Sequence, residues 1–427
     1  MPPPLAMITM PNNTRRVAAC GLAVAAWWLL SSPDLRAQAT HTSHDWAQSP
    51  AGSGEGDSVR DFQARLRSAL SLLEGRPELD RPLPLAASVA AEGRTGIRHL
   101  RIRDFDILSD GARETAEFEL GAGSWPSVVG VLGSAVAGDF LTRAAIKGSP
   151  IDGLEVVFTS RPEAARSRGT GDRVVYPQAL AYTAFIDSPA SDEELEGLRA
   201  EVERLSPVLN LVARPHDIEH GRLVYTQTPT RREGRTLAGL REFLEDKDAA
   251  SRGARPPEGR RAEPPRARDD GRPPLRAHVK VEGATGIRHI RTDLKNYQVI
   301  HDYPRHLAGH NLGPVPEEHI LGTMITCLTH IYEIEAARRR VAMDTLELDV
   351  EGTLTTRLGN AASPPSYRDI RYTVRIGSPE PRAKIEELQR AVEAVCPIYN
   401  MLKNSQPIAG RIVRGPYSVE KEREVAR

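Results

Sequence analysis

Cys327, in GTMITCLTH, and Cys396, in AVCPIYN, are the residues of this chain best suited to chemistry. A thiolate can attack an electrophilic oxygen and become a sulfenic acid, and a second thiol in reach then condenses with it to a disulfide and water. Spacing alone does not choose the attacking sulfur. Cys327 falls about three turns inside a predicted helix, too deep for the helix start to lower its pKa strongly, so a cationic neighbour is needed. Cys396 precedes Pro397, where a new helix could open, and that is also a good place for a thiolate. A structural disulfide and two inert buried thiols are the other readings of the pair.

The elements that must position these sulfurs come in two copies. Thr95-Gly96-Ile97-Arg98-His99-Leu100-Arg101 repeats as Thr285-Gly286-Ile287-Arg288-His289-Ile290-Arg291, and Ser206-Pro207-Val208-Leu209-Asn210 repeats as Cys396-Pro397-Ile398-Tyr399-Asn400. So long a period means duplicated domains and not a short-repeat solenoid. Setting Leu132-Gly133-Ser134 against Leu321-Gly322-Thr323 places Gly138 opposite Cys327, and Ser206 stands opposite Cys396. Pro126 then matches Pro316, with Ser127 in the place of Glu317. One half keeps both thiols and the other has neither, which predicts one chemical site supported by a partner half.

Hydrophobic periodicity gives mixed elements. Val59, Phe62, Leu66, Leu70 and Leu73 line one face of a predicted helix that stops at Gly75. Pro316 suits a helix start, and Ile320, Leu321, Met324, Leu328, Ile331 and Ile334 follow at helical spacing. Leu346, Leu348 and Val350 alternate as in a strand, as do Ile370, Tyr372, Val374 and Ile376, and a second helix is predicted over 382–395. Antiparallel sheet packed on one long buried helix is an α+β plan. Along the 427 residues we expect a signal peptide over 1–39, a disordered segment and short helix over 40–84, one repeat over 85–230, a polar helix and Arg/Pro-rich linker over 231–275, the cysteine-bearing repeat over 276–417 and a charged tail over 418–427. Arg15-Arg16, the apolar run from Val17 to Leu30 and the small-residue site Ala37-Gln38-Ala39 imply export, to the periplasm, with no stable membrane span. Cleavage after Ala39 would remove Cys20, the third cysteine. A formal net charge of zero gives no electrostatic case for nucleic acid.

Repeat two resembles the OsmC/Ohr family of thiol-dependent hydroperoxide peroxidases. Asp302-Tyr303-Pro304, Gly309 and Gly313-Pro314-Val315-Pro316-Glu317 look like the family's glycine-containing stretch leading to Pro-Glu. Cys327 follows Glu317 by ten residues, and Cys396-Pro397 looks like the second family cysteine. The resemblance implies tandem domains forming an intrachain pseudo-dimer with interlocked sheets. It implies that Cys327 attacks an organic hydroperoxide and Cys396 resolves the sulfenic acid, with an outside dithiol reductant and no cofactor. It also implies an activating arginine held by Glu317, with Arg291 the first candidate and Arg288 the second. An unbroken helix, however, would put Glu317 about 15 Å from Cys327. The contrasting expectation is an exported, non-catalytic binding or structural protein. His301, His306, His310, His319 and His330 crowd thirty residues, but prolines and glycines interrupt them and no metal-ligand pattern emerges. His330, three residues after Cys327, could act as a base.

Overall fold

The computed structural model describes residues 58–75, 81–166, 173–230, 239–252, 274–292, 297–360 and 362–425. The expected signal, the segment 40–57 and most of the linker lie outside these residues. In chain order the elements are α1 (Val59–Glu74), β1 (Leu83–Ala91), β2 (Arg98–Ile102), β3 (Phe105–Ser109), α2 (Ser124–Lys147), β4 (Gly153–Arg166), β5 (Arg173–Asp187), α3 (Asp192–Leu205), α4 (Pro207–Ala213), β6 (Arg222–Gln227) and α5 (Gly239–Ser251). The second half follows with β7 (Leu275–Val281), β8 (Arg288–Thr292), β9 (Tyr297–His301), α6 (Pro316–Arg339), β10 (Thr345–Leu354), β11 (Tyr367–Ser378), α7 (Arg382–Val395), α8 (Pro397–Lys403), β12 (Ile408–Arg414) and α9 (Val419–Val425). The α+β class expected from periodicity is the class observed.

The two halves exchange strands. One sheet has the order β3-β2-β1-β10-β11-β6 and the other β9-β8-β7-β4-β5-β12. Each half therefore opens in one sheet, sends its central hairpin into the other and returns for its last strand. The seams are antiparallel, with Val89 opposite Leu348 in one and Val156 opposite Val279 in the other. The edge pairs β11–β6 and β5–β12 are parallel.

Helices α2 and α6 fill the space between these sheets. Both are buried on nearly all sides, as expected of helices without a polar face. Although α2 is long and apolar enough to cross a membrane, 83% of its most apolar stretch is buried inside the fold. A side chain at Gly130 would strike Ile290 Cγ2 at 2.6 Å, so α2 lies close against β8. A side chain at Gly322 would meet both Cδ atoms of Leu100 at 3.0 Å, so α6 lies as close against β2. Each central helix thus packs on the opening strands of the other half. The short helices repeat this exchange: Phe62 of α1 fills the space beside Gly286, and Phe243 of α5 fills the space beside Gly96.

These contacts correct the sequence register. Arg98 stands opposite Arg288, but Phe105 at the start of β3 stands opposite Tyr297 at the start of β9, because the β8–β9 connection is two residues longer than its counterpart. The shift persists through the central helices. Gly130 is the counterpart of Gly322, so Ala135, not Gly138, is the counterpart of Cys327. Ser124 and Trp125 stand opposite Pro316 and Glu317.

One polar group lies within the helical layer. His301 is within hydrogen-bond reach of the Ser134 hydroxyl at 2.9 Å and of His319 at 2.8 Å, and all three are buried. Burial, His319 and the charge of Arg288 push the His301 pKa well below its usual range, and burial alone lowers His319 to about 4.

Two outcomes follow from the fold. A fragment covering residues 274–425 leaves β10 without β1 and β7 without β4, so it should pair with a second copy or fail to fold. Light scattering on the eluted fragment reads this, and a folded monomer would contradict the shared sheets. The histidine pair, neutral when folded, should lose stabilising effect as pH falls from about 6.5 toward 4, because the unfolded chain takes up protons first. Urea midpoints at pH 7 and 5 should therefore move further apart in the parent than in a His301→Asn/His319→Gln variant.

Candidate functional site

Cys327 occupies the middle of α6, and Cys396 is the residue between α7 and α8. Cys396 ends α7 by donating its amide to Val392 O at 2.8 Å and opens α8 with Pro397 in the first turn. Its φ and ψ, −64° and 118°, are nearly those of Ser206 in the other half, −63° and 118°. The Ser206 hydroxyl accepts from Leu209 N at 3.2 Å, so both positions act as helix starts. Both cysteines are unbridged, and each lies close enough to shift the other's ionisation.

Electrostatics separates the two thiols. Burial opposes ionisation of Cys327, but hydrogen bonds from Cys396, Ser124 and the Ile398 amide, with the field of Arg98, outweigh it and lower its pKa. Burial and the bond to Cys327 push the Cys396 thiol well above the usual range. The surroundings thus favour ionisation of Cys327 over Cys396, a distinction that spacing could not make. Ser124 and Arg98 come from the half without cysteines, so the site is built by both halves.

Arg98 is buried beneath an ion cluster. Its Nη1 donates to Gly96 O at 2.9 Å, Glu117 Oε1 at 3.0 Å and Glu333 Oε2 at 2.8 Å. Lys247, carried in by α5, lies 2.7 Å from Glu117 Oε1. His330 Nδ1 is 3.1 Å from the same oxygen, and burial lowers its pKa to about 4 against the pull of Glu117. Glu117, His330 and Glu333 are close enough to hold a metal ion. Arg98 and Lys247 pair with the carboxylates, yet burial still raises the Glu333 pKa to about 7. Burial is also the largest influence on Glu117, but His330, Arg98 and Lys247 reverse it and hold its carboxyl well below the usual range.

A pocket occupies the equivalent position in the other half of the pseudo-dimer. Ala135, Gly138 and Asp139 of α2 line it together with Arg288, Tyr303 and Glu317. Arg288 is 2% exposed, and its guanidinium stacks 4.4 Å from the centre of the Tyr303 ring. The Tyr303 hydroxyl donates to Gly138 O at 2.6 Å. A side chain at Gly138 would come within 2.1 Å of Arg288 Nη1, so any larger residue there must displace the guanidinium. In the sulfur site the exchange is reversed: His330 replaces Gly138, and Gly111 replaces Tyr303.

The expected site residues are thus divided. Cys327 and Cys396 lie close together. Glu317 lies at the start of an unbroken α6, ten residues from Cys327, and lines the pocket that has no sulfur. Along β8, Arg288, Ile290 and Thr292 point inward and alternate with the half-buried His289 and Arg291, so Arg291 faces away from the helices. Arg288 faces inward but reaches Gly138. The arginine acting on Cys327 is Arg98. Sequence reasoning missed Arg98, Ser124, Glu117, Glu333 and Lys247. The signal available for Arg98 was its place in the repeated TGIRHIR segment.

Residues 309–409 match the family model described as OsmC-like protein. An OsmC-like protein from Mycoplasma pneumoniae is 21% identical over 30% of this chain and 89% of its own, with a TM-score of 0.25. An osmotic stress induced and detoxification response protein from Psychrobacter arcticus 273-4, titled as putative, is 15% identical over 33% of this chain and 94% of its own, with a TM-score of 0.26. No relative with a curated description matches the chain.

The two arginines should respond differently to removal. Arg98→Met takes from buried Glu333 its nearest cation, while Glu117 keeps Lys247, and should cost about 3–5 kcal/mol. Arg288→Met removes a buried charge with no carboxylate in salt-bridge contact among the described residues, and should cost far less. Urea unfolding of both variants compares them directly, and equal losses would contradict the assigned pairing.

Proposed function

The chain belongs to the OsmC-like family through residues 309–409, and from that premise we propose that it is a thiol peroxidase reducing organic hydroperoxides at Cys327. The observation that carries this reading is the contact between two chemically unequal thiols, one favoured as thiolate and the other held protonated. The Cys327 sulfur attacks the hydroperoxide, forming an S–O bond as the O–O bond breaks. The alcohol leaves with the proton the thiol gave up, and Cys327 becomes a sulfenic acid. Cys396 then condenses with it, giving a disulfide and water. An outside dithiol, oxidised in turn, restores both thiols. Arg98 favours the thiolate through its field, and Ser124 supports it by a hydrogen bond. Buried Met324 and Leu328 beside Cys327 in α6 favour an organic over an inorganic peroxide.

A second reading is a non-catalytic member of the fold in which the pair rests as a disulfide. The burial of both sulfurs, 1% and 0% exposed, favours it, because substrate must open a path to them. Export, inferred from the apolar run and Ala37-Gln38-Ala39, would place the pair in an oxidising compartment.

Reduced protein treated with tert-butyl hydroperoxide should lose both thiols together and form the Cys327–Cys396 disulfide, seen by mass spectrometry. Cys396→Ser should accumulate a sulfenic acid that dimedone traps, and its trapping rate should rise with pH through an inflection below that of an ordinary thiol. Hydroperoxide consumption unchanged in Cys327→Ser would falsify the assignment, and absence of reaction in the parent would leave the non-catalytic reading. Export predicts a periplasmic mature protein beginning at Thr40, read by N-terminal sequencing.

A further inference from the structure

The surroundings of Cys396 and of its counterpart Ser206 differ in one hydroxyl. Tyr372 of β11 donates to Glu393 Oε1, and Glu393 Oε2 lies 2.5 Å from His220 Nδ1. The other half keeps the first of these bonds: Tyr182 of β5 donates to Glu203 Oε1 at 2.9 Å, with Arg199 Nη1 at 2.7 Å in place of a histidine. Tyr332 of α6 stands where α2 has Phe140, in the register set by Gly130 and Gly322. The half with the thiols therefore carries a phenol where the other half carries a plain ring.

That phenol has no structural role to explain it. Tyr332 is 0% exposed, and its oxygen has no hydrogen-bond partner. An unpaired buried hydroxyl is costly, and phenylalanine would avoid the cost. The group lies close enough to Glu393, Tyr372 and Cys396 for each to shift its ionisation. Its hydrogen can turn toward whichever of these neighbours accepts it. Tyr399 does not take this part: it packs edge-on against the Tyr372 ring, with 6.1 Å between centres, and donates to Ile218 O at 3.4 Å.

Cys396 is the thiol that must lose a proton without help from solvent. It is 0% exposed, and burial holds it well above the usual thiol range. Closing a disulfide requires its sulfur as a nucleophile, so the proton needs an acceptor inside the protein. Glu393 is such an acceptor, and it is held in place by the Gly221 amide at 3.0 Å and the Tyr372 hydroxyl. Its second oxygen meets His220, whose side chain is 59% exposed, so the chain of groups ends in water.

We propose that Tyr332, Tyr372, Glu393 and His220 form a proton relay that connects Cys396 to solvent and serves the closing of the disulfide. The inference deepens the peroxidase reading and rests on it for the step it serves. In that step the Cys396 sulfur forms the S–S bond to Cys327 as the S–O bond of the sulfenic acid breaks. The Cys396 proton passes to the Tyr332 oxygen, the Tyr332 proton to the Tyr372 oxygen and the Tyr372 proton to Glu393, which releases it through His220. The departing hydroxide takes one proton from solvent and leaves as water, so protons gained and lost are equal.

Quenched-flow alkylation read by mass spectrometry follows sulfenic acid formation and disulfide closure separately in the full chain. Tyr332→Phe deletes only an unpartnered hydroxyl, so its urea midpoint should be no lower than the parent's. Closure in this variant should nevertheless slow at least tenfold relative to sulfenic acid formation. His220→Gln should also slow closure, and imidazole in the buffer should restore it, a rescue that a merely structural role would not give. Diamide oxidises the same thiol pair without a hydroperoxide. If tert-butyl hydroperoxide gives no sulfenic acid but Tyr332→Phe still slows closure by diamide tenfold, the peroxidase reading fails and the relay stands. The relay is overturned if Tyr332→Phe closes at the parent's rate with either oxidant, or if imidazole leaves closure in His220→Gln unchanged.

Discussion

Strand exchange is the constraint from which the rest of the structure follows. Once β10 pairs with β1 and β4 with β7, neither half has a sheet of its own. Each central helix must then rest on strands from the other half, and each pocket must draw its helix residues from one half and its arginine from the other. Cys327 meets Arg98, and Ala135 shares a pocket with Arg288, for this reason alone. The exchange also buries both guanidiniums between helix and sheet, so each needs an arrangement for its charge.

The two sites meet that need with different materials. In the sulfur site Glu117, Glu333 and Lys247, the last carried by α5, join Arg98 in a buried ion-pair network. Breaking such a network is expensive because the remaining charges stay buried. The network therefore fixes Arg98 near the sulfur without requiring Glu317. In the other half Leu70 of α1 lines the pocket, and Arg288 Nε and Nη2 are buried without a hydrogen-bond partner.

Much of this was legible in the sequence where side-chain pattern and local chemistry agreed. The predicted helix from Ser58 to Gly75, the start of α6 at Pro316 and the limits of α7 all fall where periodicity and capping put them. The duplicated framework was equally plain. The helix register was not. Nearly every position of α2 and α6 is buried, so their sequences carry no polar stripe to fix an alignment, and a shift of about one turn passes unnoticed. Gly130 and Gly322 settle it through close packing on β8 and β2, a contact between distant segments. The alternation of β8 could have favoured Arg288 over Arg291 as the inward arginine. Nothing local could say that Arg288 would face the half without cysteines, because which half supplies which wall is a property of the strand exchange.

In an assembly of two identical chains, any substitution appears at both symmetry-related sites at once. Joining the halves removes that coupling. A change at Ala135 alters one pocket and leaves Cys327 untouched, and the pair of rings and glycines at 138 and 330, and at 111 and 303, shows such divergence completed in opposite directions. The covalent connection between the halves thus frees two positions that geometry still treats as equivalent to acquire separate histories.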